Sequence, residues 1–171
     1  MSITGLPGQG PVRAGIPVAD LSAGLYTALG ILTALIGRQH TGTGQWVQAS
    51  LLEAQIAMLD FQAARWLIDG EIPSQAGNDH PTGIPTGVFE TADGSINIAA
   101  SGDAMFARLM HTIGTPELVD ESRYADGRSR SDHRETLNAA ISERTRTQTG
   151  DAWIELLNAE GVPCGPINTI D

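Results

Sequence analysis

From Asp20 onward the apolar residues Leu21, Leu25, Ala28, Leu29, Leu32, Leu35 and Ile36 recur at helical spacing as far as Arg38, where Thr41-Gly42-Thr43-Gly44 interrupts the pattern. This predicts one long helix. Residues 45–49 read as a short strand. Ser50-Leu51-Leu52-Glu53 reads as a capping box, so a second helix should start at Leu51 and continue through Ile56, Met58, Leu59, Phe61, Trp66 and Leu67. Its apolar residues fall on more than one face, which predicts burial in an assembly larger than these residues make alone. Residues 1–14 are rich in Gly and Pro and read as a loop.

Between Gly70 and Pro85 the composition turns to Gly, Pro, Asn and Asp, the mark of a long loop between subdomains. Residues 86–91 and 95–100 then alternate as two strands joined by Asp93-Gly94, a dipeptide that favours a tight hairpin turn. Helices are expected over 103–113, capped by Ser101 and stopped by Gly114, from Asp132 to about Thr145, and from Thr149 to Gly161. The fold class is α/β: a strand and two long helices over 1–70, a linker and loop over 71–87, and a small α+β domain over 88–171.

The formal charge of −10, from 10 basic and 20 acidic residues, argues against a nucleic-acid partner, which needs clustered cations. All ten basic residues are Arg, a side chain suited to bidentate contacts with carboxylates and phosphates. Cys164 is the single cysteine, so no intrachain disulfide forms, and a reducing, cytoplasmic location is expected. It sits in Gly161-Val162-Pro163-Cys164-Gly165-Pro166, read as a rigid turn with no His nearby, which favours a structural thiol over a nucleophile. No signal-peptide pattern opens the chain, and Arg, Asp or Gly breaks each apolar run, so no membrane partner is expected. His40, His80, His111 and His133 lack paired ligand spacing, and no Gly-rich phosphate loop occurs, so no metal is expected.

One carboxylate stands out. In Gly15-Ile16-Pro17-Val18-Ala19-Asp20-Leu21-Ser22-Ala23-Gly24 an apolar run delivers Asp20 to the start of the long helix, among first-turn amides that stabilise negative charge. Two readings follow from these residues: an N-cap, since Asp is among the best capping residues, or a nucleophile or base.

The run from Gly15 through Leu25-Tyr26, followed by Thr41-Gly42-Thr43-Gly44-Gln45-Trp46-Val47 and Ser50-Leu51-Leu52-Glu53-Ala54-Gln55, resembles the class III CoA-transferases, the CaiB/BaiF family. The resemblance continues in Gly77-Asn78-Asp79-His80-Pro81, in Val88-Phe89-Glu90-Thr91-Ala92-Asp93-Gly94 and in Gly161-Val162-Pro163-Cys164-Gly165-Pro166. It covers nearly the whole chain in order.

The resemblance implies a parent about twice this length, whose large domain binds CoA and whose two chains interlock as a homodimer; this chain matches its middle. It places the nucleophilic aspartate at Asp20 and an active-site loop at Asn78, His80 and Gly83. Acyl-CoA and a carboxylic acid are the implied substrates, with no permanently bound cofactor, and the CoA contacts are expected mostly upstream of this segment, leaving it inactive alone. Members acting on formyl-CoA carry a glycine run followed by Gln where this chain has Asn78-Asp79-His80-Pro81-Thr82-Gly83, so formyl or oxalyl transfer is disfavoured. Two alternatives stand beside transfer: an α-methylacyl-CoA racemase using the same aspartate with an upstream His, and a non-catalytic assembly piece.

Overall fold

Pro17 stands just ahead of helix α1 (Val18–Thr41), and Leu21 N–H donates to its carbonyl at 3.0 Å. The helix runs until Gly42, whose left-handed conformation (φ 72°) lets its N–H reach Arg38 O at 2.8 Å. A computed structural model describes all residues from Met1 to Asp171, and the chain divides into two compact units, Met1–Gln75 and Ala76–Asp171. The division falls inside the stretch read as a linker and assigns residues 76–87 to the second unit.

In the first unit α1 packs against α2 (Leu51–Ala57), with α3 (Phe61–Asp69) following. Two expectations are corrected here. Residues 45–49 form no strand, because no other extended segment lies in this unit to pair with them; Val47 instead packs against α1 at Gly30, where a β-carbon would lie 2.7 Å from Val47 Cγ1. The second long helix is two short ones, broken at residues 58–60, where Asp60 takes φ 47° and ends the helical path. The capping box is half as expected. Glu53 N–H donates to Ser50 Oγ at 3.1 Å, but the Glu53 carboxylate accepts from the Ser50 hydroxyl at 2.8 Å instead of from its amide.

This unit has almost no apolar core of its own. Its buried residues are Ser22, Ala54 and Gln62, while Leu25, Leu29 and Ile36 of α1 and Leu52 and Leu67 beyond it are each more than half exposed. Helix α1 is also long and apolar enough, by length and composition only, to cross a membrane. That corrects the expectation of no such run: glycines do not disqualify a spanning helix, and between Asp20 and Arg38 α1 carries no charge. A helix of this composition equally suits the interior of a larger domain.

The second unit is built on a three-stranded antiparallel sheet in the order β1 (Thr86–Glu90), β2 (Ser95–Ala99), β3 (Cys164–Pro166). Phe89 pairs with Ile96, and Ile98 with Cys164, so alternate side chains of β2 enter the core. Helices α4 (Asp103–Thr112), α5 (Gly127–Asp132), α6 (Arg134–Thr145) and α7 (Gly150–Ala159) complete the unit, and Phe106, Leu109, Leu137, Ile141, Trp153 and Leu157 close the core. The strand β3 replaces the expected turn around Cys164, since Pro163 and Pro166 both tolerate an edge position.

Three local expectations also change. Glu90 pairs with Ser95, so the hairpin loop has four residues; Gly94 takes no positive φ, and Asp93 Oδ1 accepts from Thr91 Oγ1 at 3.0 Å and from Gly150 N–H at 2.8 Å. Asp126 opens α5 by accepting from Ser129 N–H at 2.7 Å, and α6 begins only at Arg134, so Asp132 caps nothing. Ser101 makes no cap for α4, whereas Thr149 caps α7 through Ala152 N–H at 3.4 Å, as expected.

Candidate active site

Asp20 is the third residue of α1, exposed, and makes no capping hydrogen bond, so the N-cap reading does not hold. The first-turn amides of Ala19 and Asp20 donate to no group of the chain, while Val18 N–H turns back to Ile16 O at 2.9 Å. Two unpaired N–H groups therefore accompany the carboxylate at the positive end of a 24-residue helix.

A cavity of about 260 Å³ opens at this end of α1, lined among others by Thr4, Arg13, Ile16, Val18, Asp20 and Gln55. Gln55 is held in place from α2: its Nε2 donates to Ser22 Oγ at 3.3 Å, and Ser22 Oγ donates in turn to Val18 O at 2.7 Å. Neither Arg13 nor Gln55 carried a functional signal in the sequence beyond its nearness to Asp20 or to the capping box.

The other three expected site residues, Asn78, His80 and Gly83, lie together in the second unit. His80 Nδ1 accepts from Thr82 N–H at 3.2 Å and Gly83 N–H at 2.8 Å, and His80 N–H donates to Thr86 O at 2.7 Å. A neutral imidazole so bonded carries its proton on Nε2. Arg134 donates to Pro81 O at 2.6 Å, and Asn138 Nδ2 to Asp79 Oδ1 at 3.2 Å, which anchors this segment more firmly than its Gly and Pro content suggests. Burial pushes the Asp79 carboxyl up from its ordinary value, against the opposing pull of the Arg134 charge and the Asn138 bond. Gly87 of β1 permits the close approach: a β-carbon there would lie 2.5 Å from Asp79 Oδ1 and 3.0 Å from Asn78 O. Asn78 also borders a second cavity of about 510 Å³ with Thr91, Asp93, Ser95, Asp151 and Ile154.

Cys164 is half-buried in β3, its Sγ directed to Ile154 O at 3.8 Å, and burial pushes its thiol up, away from the thiolate a nucleophile requires.

An exposed carboxylate in the first turn of a long helix, with two free amides beside it, thus faces a small cavity. Residues 1–171 match CoA-transferase family III over their whole length, and the chain belongs to that family. It is 37% identical over 171 residues to succinate–glutarate CoA-transferase of Agrobacterium fabrum, covering all of this chain and 43% of that protein. It is 35% identical over 170 residues to succinyl-CoA:glutarate CoA-transferase of Homo sapiens, covering 99% and 39%. Among solved structures, a CaiB/BaiF family protein from Brucella suis superposes with a TM-score of 0.75 at 36% identity, over 99% of this chain and 45% of that one. The chain thus spans about two fifths of the length of the curated relatives it matches.

Proposed function

We propose that this chain is the nucleophile-bearing part of an acyl-CoA:carboxylate CoA-transferase, with Asp20 forming the covalent intermediates. The observation that carries this is the placement of Asp20: in the first turn of α1, exposed, uncapped, and beside the two unpaired amides of Ala19 and Asp20. An Asp20 carboxylate oxygen attacks the acyl-CoA carbonyl carbon, the C–S bond breaks, and CoA thiolate leaves a mixed anhydride. The thiolate then attacks the Asp20 carbonyl carbon, the donor acid departs as its carboxylate, and an aspartyl-CoA thioester remains. The acceptor carboxylate attacks that thioester, giving a second anhydride and freeing the thiolate. Attack of the thiolate on the acceptor's acyl carbon yields the new acyl-CoA and returns Asp20. Each tetrahedral intermediate develops an oxyanion, and the free first-turn amides are suited to receive it.

The relatives' names support CoA transfer over racemisation. The exposed apolar faces of α1 and α2 support a whole protein in which further chain, and a second copy of it, covers them; the cytoplasm is the compartment consistent with a single free thiol. The activity belongs to the full-length protein. There, Asp20→Ala should abolish transfer while the thermal unfolding profile stays near that of the wild type, since the side chain makes no hydrogen bond within the chain. Near-normal transfer by a folded Asp20→Ala protein would overturn the assignment.

A further inference from the structure

The first unit holds three Arg side chains, and only one is available to a ligand at Asp20. Arg65 is committed to Glu71 and Gln62. Arg38 stands eighteen residues along α1 from Asp20, roughly 27 Å at the helical rise. Arg13 lines the same cavity as Asp20 and has no ion-pair partner in the chain. A carboxylate entering a protein of net charge −10, beside another carboxylate, meets repulsion that a neighbouring guanidinium relieves.

We propose that Arg13 is the specificity-determining residue of this site, binding the distal carboxylate of a short dicarboxylic acid whose other carboxyl group reacts at Asp20. This rests on the assignment of Asp20 as the nucleophile. The cavity, at about 260 Å³, has room for a short acid beside Asp20. Ile16, Pro17 and Val18 supply an apolar wall for the methylenes between the two carboxyl groups, and the fork of Arg13 offers paired donors to the far one.

The test uses the full-length protein with Arg13→Gln and Arg13→Lys. The kcat and KM are measured for glutarate and for butyrate as acceptors from one acyl-CoA donor, together with the KM of that donor. The ratio of kcat/KM for glutarate to that for butyrate should favour glutarate in the wild type. In Arg13→Gln it should fall by roughly 10- to 100-fold, mostly through the KM of glutarate. Arg13→Lys should recover part of the loss. An unchanged ratio would overturn the role of Arg13, as would equal losses for both acids with a raised donor KM, which would put Arg13 on the CoA anion instead. In either case, loss of transfer in Asp20→Ala would leave the nucleophile standing. A wild-type protein that does not prefer glutarate to butyrate overturns the dicarboxylate assignment.

Discussion

Gln55 Nε2 donates to Ser22 Oγ at 3.3 Å, and this bond ties α2 to the first turn of α1, two residues beyond Asp20. Ser22 is buried and its hydroxyl donates onward to Val18 O, so the pair fixes the turn from which the Asp20 carboxylate projects. Gln55→Met keeps the side chain's length and removes the bond. It should destabilise the chain by about 0.5–1.5 kcal/mol and speed amide exchange at residues 21–25, measured by urea unfolding and hydrogen exchange. Unchanged exchange there would show that α1 holds its first turn without α2.

Arg130 is the largest fully buried side chain, and it ties three segments of the second unit together. It donates to Ile84 O at 3.1 Å, Tyr124 O at 3.0 Å and Ser101 O at 3.2 Å, pairs with Asp103, and lies over the Phe106 ring at 4.7 Å. Arg130→Met should cost on the order of 3–5 kcal/mol, because it leaves buried carbonyls without a donor. Calorimetry of the second unit's transition checks this, and a loss below that of an ordinary surface substitution would contradict it.

The long helix was legible because nothing interrupts its apolar period, and Ser50 and Thr149 because their hydroxyls sit one residue ahead of a helical pattern. Arg130 was not legible: its partners are carbonyls up to 46 residues away, and no local pattern marks a cation that folding will bury. The strand β3 was hidden by its own prolines, and the break before α3 by Met58 and Leu59, good helix formers that precede an Asp with positive φ. At the site, the local residues marked Asp20 but favoured an N-cap, and only the family resemblance turned the reading to a nucleophile.

Asp79 gives the second unit a pH dependence. Its carboxyl is raised above the ordinary 3.8, chiefly by burial, so the folded chain holds this proton more tightly than the unfolded one. Its stabilising contribution is therefore full below the unfolded value and is lost as pH rises through the folded one. Asp79→Asn removes the loss and keeps an acceptor for Asn138. The variant's Tm should gain on the wild type as pH rises from 3 and level off once Asp79 is ionised in both states; a difference constant with pH would contradict this.

Gly87 permits the approach of Asn78 and Asp79 to β1. Gly87→Ala places a methyl group 2.5 Å from Asp79 Oδ1 and 3.0 Å from a backbone oxygen, and should cost about 1–3 kcal/mol. The displaced segment should release the His80 N–H bond to Thr86 O, seen as faster exchange of that amide. Wild-type stability and exchange would show that the segment yields without strain.

The covalent role of Asp20 is tested most directly by weighing the peptide that carries it. Full-length protein is mixed with an acyl-CoA, quenched in acid and digested. The peptide containing Asp20 should carry CoA as a thioester, hydroxylamine should replace that CoA with a hydroxamate on the same residue, and Asp20→Asn should show neither. An unmodified Asp20 peptide recovered while transfer is in progress, or CoA attached to a different residue, would contradict the account.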